Sequence, residues 1–527
     1  MISTLLLLSH LLIFLGVNEL EPGMKGIGLT VFKGTKVDTF QAEIVGVLKR
    51  ALPRGDIILA EISGGPIDSA GFIAGMSGSP VYIDGKLIGA VAYGYGSFAK
   101  KFICGITPID EMLNPPTLGY GNSLDIFPNL RIPVCFSNID NRIINQMKDS
   151  LGVFRVLAVQ GGASLPDSLL PTPGSVICAV LVRGDANLFA VGTCTYREGN
   201  KVWGFGHPFQ SVGKTSLPMT AGYIYSVFPS SQYSFKIAST TEIIGAITND
   251  GSRGIIGVIG NIPDMVDLDI YLKGDKYHYE IVKDERLFTN LVNSMIGNTI
   301  YTGLRIKGEM TITQDIDIDI ENGPDLRLKD MVTGNINQIM KSIAQPIVLL
   351  YRNPFQKINI KNISIKLTPE DSLLVAEITN VYADKEEVKA GDTLRILLIM
   401  RPYKREFMKR VIEIPIPEQV SKGKLKLIIE GGGQVRKSRE KELKSFTGLI
   451  DYLVSRPKLS DILITLKQAG ETAYIRGEKF PLLPPTLSSL IKKSQDKKLT
   501  KESAIVEKRI DTDYVIKGRV ELTLEVK

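Results

Sequence analysis

Histidine, cysteine and tryptophan are scarce in this chain, and each scarcity narrows what it can do. Its 527 residues include only 3 histidines, 4 cysteines and 1 tryptophan. The cysteines, at 104, 135, 178 and 194, form no C-x-x-C pair, which excludes a zinc ribbon or a thioredoxin-type motif. There is no H-E-x-x-H, no two-histidine cluster and no carboxylate-rich loop, so no metal and no cofactor is expected. The net charge is +7, but its basic clusters (Lys100-Lys101, Lys492-Lys493, Lys497-Lys498) are short. That pattern fits a solvated surface and argues against a nucleic-acid partner. Long apolar runs are also missing, with one short exception. "LLLLSHLLIFLGV", Leu5 to Val17, is too short to span a bilayer comfortably and suits a signal-peptide core. No Lys or Arg precedes it and no clean small-x-small site follows it, so a buried first helix is the alternative reading. No integral membrane span is expected in the mature chain.

What the sequence has in quantity is short β-branched runs between glycine turns. "GIGLTVFKG", "FQAEIVGVL", "DIILAEI", "SPVYIDGKLIGAVAYG" and "FICGIT" all read as strands. Asp84-Gly85 is a strong hairpin signal, because both residues tolerate positive φ. "TPIDEML", from Thr107, closes this block as a capped helical turn near residue 114. A helix is expected over 138–152, then strands from Ser175 to about residue 320. Cys178 and Cys194 lie in two apolar strands there. They could pair across a hairpin in an exported protein, although their core-type neighbours favour buried free thiols. Beyond, 357–430 suggests a small sandwich, and the last hundred residues mix a helix around "KELKSFTGLIDYLVSR" with further strands. The expected division is a signal at 1–18, a β-barrel half at 19–115, a connection at 116–174 and a second β-barrel half at 175–325. A sandwich-like domain at 326–435 and a mixed α/β region at 436–527 complete it.

The stretch that could carry chemistry is "GFIAGMSGSPVYIDGKLIGAVAYG", 71 to 94, where Ser77 lies between Gly75 and Gly78. Acyl transfer on a serine needs an exposed hydroxyl, a neutral imidazole and N–H donors for the oxyanion. Ser77 offers the first, and the N–H groups of Gly75 and Ser77 can supply the last. A glycine-rich turn whose serines satisfy local backbone groups is the plainer alternative. The histidines favour chemistry by elimination. His10 lies in the apolar N-terminal run, and His278 sits between two tyrosines on a charged strand. His207, in "KVWGFGHPF", is fixed at a bend between Gly206 and Pro208 and suits a general base. "GHPFQSVGKTS" ends like a P-loop, but Pro208 occupies the place of its first glycine.

"GMSGSPVYIDGKLIGAVAYG … GITPIDEML" resembles the serine segment of the SpoIVB-type sporulation serine peptidases and has the cadence of trypsin-like and HtrA-like enzymes. "AVGTCTYREGNKVWGFGHPF" is similar to the family's histidine segment, and the likeness extends over about 21–285. It implies a chymotrypsin-like double β-barrel; the patterning beyond its reach adds a β-rich accessory region with a few helices, so a mainly β protein is expected. It implies Ser77, rather than Ser79, as nucleophile and His207 as base. Two departures stand out. Ser77 precedes His207 by 130 positions, the reverse of the family order, which leaves open whether the halves meet in one chain or two. The family's aspartate would fall near Glu61-Ile62-Ser63, so either Glu61 substitutes or the site is a Ser-His dyad. No PDZ-like segment precedes the block. The expectation is an exported, extracytoplasmic serine endopeptidase acting on a protein or peptide, with possible peripheral association with the envelope. The alternative is an inactive peptidase-like envelope protein that binds peptides or assists assembly.

Overall fold

The computed structural model describes residues 13–52, 55–94, 101–115, 130, 132–150, 156–166, 169–304, 308–439, 443–475, 478–480 and 498–527. The chain forms two units: Met1–Leu268 with His278–Asn298, and Asp269–Tyr277 with Thr299–Lys527.

The first unit opens with β1 (Lys25–Thr30), β2 (Asp38–Leu52), β3 (Gly55–Ser63), β4 (Ile73–Ala74), β5 (Pro80–Ile83), β6 (Lys86–Gly94) and β7 (Ile103–Pro108). All but β4 close a barrel in the order β1-β2-β3-β7-β6-β5. Period-two alternation builds it: Phe40, Ala42 and Ile44 of β2 point inward while Gln41, Glu43 and Val45 face out. Asp84 and Gly85 take φ of 49° and 75°, as the β5–β6 hairpin requires. Two short helices, α1 (Ile67–Ala70) and α2 (Ile109–Leu113), flank the block. Residues 1–12 of the expected signal lie outside the described residues. Phe14, by contrast, packs with Leu87, Ile109, Met112 and Trp203, and the Leu15 N–H donates to the Leu87 carbonyl at 3.1 Å.

A second set of strands follows: β8 (Ile132–Ser137), β9 (Val156–Gln160), β10 (Val176–Gly184), β11 (Asn187–Glu198), β12 (Lys201–Gly204), β13 (Gly213–Phe228), β14 (Ser234–Gly251) and β15 (Gly254–Ile259). Their pairings run β10-β13-β14-β15-β12-β11, and β11 also pairs β10, so the ring closes. This second closed ring is the partner barrel that the resemblance implied. The helix α3 (Asn141–Ser150) lies within the span expected for it. All four cysteines are buried free thiols; Cys178 stands opposite Val191 rather than Cys194. β4 joins neither ring in sequence order. It pairs in parallel with β14, Ile73 beside Ser234 and Ala74 beside Phe235.

One expectation in this half is corrected. Phe288–Leu304 is a helix, where strands were expected to run on to about residue 320. Its Thr, Val, Ile and Tyr content favours strand locally. Burial of Phe288, Leu291, Val292, Met295 and Ile296 at helical spacing overrides that preference.

In the second unit, Met310–Ile320 pairs with Leu326–Gly334 and with Ile360–Glu370. The helix Ile336–Tyr351 starts at an Asn335–Gln338 capping box. A sandwich follows. Val375–Ala383, Thr393–Pro402, Met408–Pro415 and Val515–Lys517 form one sheet, and Gly423–Gly431, Ile462–Ile475, Lys498–Ile510 and Arg519–Val526 belong to the other. The boundary expected at residue 435 is therefore crossed. Arg519–Val526 pairs with Gly423–Gly431, and residues from both expected domains share one core. The chain must return to cover the apolar faces that its middle segment leaves open.

Gly78 lies where the two barrels of the first unit are in close contact. It has φ of +95°, and a Cβ there would lie 2.1 Å from the Thr193 carbonyl oxygen and 2.4 Å from the Phe205 nitrogen. Gly78→Ala should destabilise this unit by about 3 kcal/mol or more, because backbone blocks the methyl group and no side chain can yield. Thermal unfolding should show the loss; an unchanged transition would mean the contact is not tight.

Candidate active site

The turn Gly75–Ser79 is held from both sides. β4 ties its entrance to β14, and β5 carries its exit into the first barrel. From β11 of the second barrel, the Thr193 N–H donates to the Ser77 carbonyl at 2.8 Å, and Thr193 Oγ1 donates to the Gly75 carbonyl at 2.9 Å. Thr195 Oγ1 donates to the Gly78 carbonyl at 2.7 Å. In return, Thr107 Oγ1 of the first barrel donates to the carbonyl of Gly206 at 2.6 Å, next to His207. Phe205 (φ 65°) and Gly206 (φ 68°) are both left-handed, which makes the sharp bend that presents His207.

One chain therefore brings Ser77 and His207 together. Ser77 Oγ lies 2.9 Å from His207 Nε2, and both residues are buried. His207 Nδ1 lies 2.9 Å from the Pro208 carbonyl oxygen. A carbonyl can only accept, so Nδ1 carries the proton and the Nε2 lone pair faces the serine hydroxyl. Burial lowers the imidazole pKa to about 4, opposed by the Pro208 bond, so the ring is neutral at pH 7. The amides of Met76, Gly78 and Ser79 donate to the carbonyls of Ile73, Val91 and Met76. Those of Gly75 and Ser77 make no turn or loop bond to a backbone carbonyl among the described residues.

Glu61 is not beside this pair. Alternation along β3 turns Ala60 and Ile62 inward and Glu61 outward, where its carboxylate pairs with Lys101 at 2.8 Å. His207 Nδ1 meets a backbone carbonyl instead, which corrects the placing of Glu61 as the acid. Ser79 is buried, and its Oγ has no hydrogen-bond partner among the described residues.

Sequence reasoning missed four contributors. Thr193 and Thr195 look like ordinary strand residues; only the alternate threonines of "GTCTY" hint at a polar row on one face. Asp250 is buried, and its carboxylate accepts from Phe209 N–H at 2.7 Å and Gln210 N–H at 2.5 Å, holding the loop after His207. Its pKa is raised to about 6 by burial, against the lowering effect of those N–H bonds and of Arg286. Lys236 is fully buried. Its stem would meet a Cβ at Gly75 at 3.0 Å, its Nζ donates to Thr30 Oγ1 at 2.8 Å, and burial lowers its pKa to about 7. Among the described residues no group of three or more His, Cys, Asp or Glu side chains could hold a metal ion.

A serine hydroxyl facing the unprotonated nitrogen of an imidazole is the pairing that nucleophilic acyl transfer uses. Residues 14–107, a segment that includes Gly75 and Ser77 and ends before His207, match the family model described as SpoIVB peptidase S55. That segment is similar to the SpoIVB-type peptidases. No curated protein and no solved structure matches the chain.

Thr193→Val keeps the shape of β11 but leaves the Gly75 carbonyl without its hydroxyl donor. It should cost about 1–3 kcal/mol in chemical denaturation; a neutral result would mean water replaces the bond. The imidazole also makes stability depend on pH. Unfolded, it binds a proton near its ordinary value of 6.5; folded, only near 4. As pH falls through that window the unfolded chain binds more protons, and the native state loses up to about 3 kcal/mol. His207→Gln should flatten this acid-side loss. Asp250 contributes the opposite slope to both proteins, so the comparison isolates the ring.

Proposed function

We propose that the protein is an exported serine endopeptidase acting on a protein or peptide substrate, with Ser77 as nucleophile and His207 as general base. The observation that carries this reading is the 2.9 Å contact between Ser77 Oγ and the unprotonated Nε2 of His207. As Oγ bonds to the scissile carbonyl carbon, its proton passes to Nε2. The resulting imidazolium is held by its Nδ1–H bond to the Pro208 carbonyl. The N–H groups of Gly75 and Ser77 are the candidates to receive the oxyanion, each such donor being worth about 2.7–4 kcal/mol of barrier. The proton on Nε2 then goes to the leaving amine, and water deacylates the serine by the same route. The apolar run Leu5–Val17 supports export, while the packing of Phe14 with Leu87 and Trp203 favours the alternative of a buried N-terminal segment. Among the described residues no helix is long and apolar enough to cross a membrane.

The complete burial of Ser77 favours a second reading, an inactive peptidase-like envelope protein that binds peptides. On the first reading, that burial means substrate enters only after the site opens.

A fluorophosphonate probe separates the two. The unsubstituted protein should label at one serine. Ser77→Ala and His207→Ala should abolish labelling, and Ser79→Ala should keep it within a few-fold. Removing the unpartnered Ser79 hydroxyl should change stability by less than about 1 kcal/mol. Failure of the unsubstituted protein to label, or labelling that follows Ser79, would sink the assignment.

A further inference from the structure

We infer that Asp250 is the acid of this site, a positioning residue that acts on His207 through the peptide group joining Pro208 to Phe209. The two ends of that one peptide face the two groups. Its N–H donates to Asp250 Oδ1 at 2.7 Å, and its C=O accepts from His207 Nδ1 at 2.9 Å. His207 Nε2 then meets Ser77 Oγ at 2.9 Å, so carboxylate, peptide, imidazole and hydroxyl form one hydrogen-bonded line. Ser77, His207 and Asp250 are each at most 1% exposed, so water does not screen the line. A carboxylate at the N–H end of a peptide polarises it and makes its carbonyl a stronger acceptor, an effect that grows in a low-dielectric interior.

The electrostatic consequence follows the charge. When Ser77 transfers its proton to Nε2, the ring becomes cationic. The negative charge of Asp250, relayed by the peptide dipole, then stabilises that cation while Asp250 itself takes no proton. The line also fixes the tautomer, since a polarised carbonyl at Nδ1 keeps the proton there. A direct carboxylate on Nδ1 would do the same in a conventional triad. Here Pro208 stands between, and Glu61, the nearest sequence candidate, is engaged with Lys101 on the outer side of β3. The charges felt by Asp250 include the Arg286 guanidinium, itself paired with Asp284 at 2.7 Å. Gln210 N–H binds the second carboxylate oxygen, so the Asp250 carboxylate is held at both ends.

The functional meaning rests on the peptidase reading, but the arrangement can be tested without turnover. With 3 histidines in the chain, nitrogen-15 labelling of histidine gives an assignable spectrum. In the unsubstituted protein His207 should be the Nδ1–H tautomer. Its Nδ1 proton should move upfield as Asp250 protonates, at a higher pH than the ring's own titration. Asp250→Asn keeps an oxygen for the Phe209 N–H but removes the charge. It should abolish the earlier step and place the Nδ1 proton at pH 7 upfield of its position in the unsubstituted protein, while the ring's own titration, which falls below the Asp250 step, moves little. A Nδ1 resonance that ignores Asp250 in both proteins would overturn the inference. So would a folded Asp250→Asn protein whose Nδ1 proton at pH 7 matches that of the unsubstituted protein. If that variant does not fold, the titration of the unsubstituted protein decides alone. Probe labelling supplies the other arm: its rate should fall at least tenfold in Asp250→Asn. Absence of labelling in the unsubstituted protein would count against the peptidase reading, while the resonances of His207 would still decide the role of Asp250.

Discussion

Everything chemical in this molecule depends on one turn belonging to two barrels. Gly75 to Ser79 enters from a strand annexed by β14 and leaves along β5, while β11 grips its carbonyls through Thr193 and Thr195. Such a turn cannot carry side chains where the barrels touch. That is why Gly78 lies against the backbone of Thr193 and Phe205. Glycine at 75 serves a related end, because the stem of Lys236 lies only 3.0 Å from where a Cβ would be. The glycines thus do two things at once: they allow the left-handed backbone, and they admit the second barrel close enough to deliver His207.

That closeness excludes water, and exclusion sets the electrostatics. A buried imidazole is neutral at pH 7, which is the state a base needs, and the same burial raises the Asp250 carboxyl and lowers the Lys236 amine. Each polar group then requires a partner inside the protein. The Pro208 carbonyl serves His207, the Phe209 and Gln210 amides serve Asp250, and Thr30 serves Lys236. Paired in this way, the groups specify one geometry, because any slip of barrel against barrel would leave several of them unsatisfied together.

The parts of the site that the sequence announces are those defined by local backbone. Gly75-Met76-Ser77-Gly78 and Gly206-His207-Pro208 are tight bends, and only special residues can make them. With so few histidines, the choice of base is narrow. The Asp84-Gly85 hairpin is legible for the same local reason. Thr193, Thr195 and Asp250 are not, because nothing in a strand's own sequence says which carbonyl or amide it will meet 118 or 41 positions away. Glu61 suits an acid that touches the ring directly, in the place the family pattern suggests. Strand alternation turns it outward, and a backbone carbonyl takes the place beside Nδ1. The helix Phe288–Leu304 and the shared sandwich core are hidden likewise, since tertiary burial decides them against local preference.

The order of the two halves along the chain carries no obstacle to the site. Closed barrels are defined by which strands pair, and each ring here is complete in itself: β1 to β7 close without help from β8 to β15, apart from the annexed β4. Barrels that close separately can follow one another in either order, provided the turn and the bend still face one another. What this order does require is a contact that no local signal enforces. β4 with β14 supplies it, a parallel pairing that places the residue before Gly75 beside Phe235, next to the buried lysine. The two-residue strand is short, but it lies immediately ahead of the serine turn. It sets the register between the barrels at the point where an error of one residue would move Ser77 away from His207.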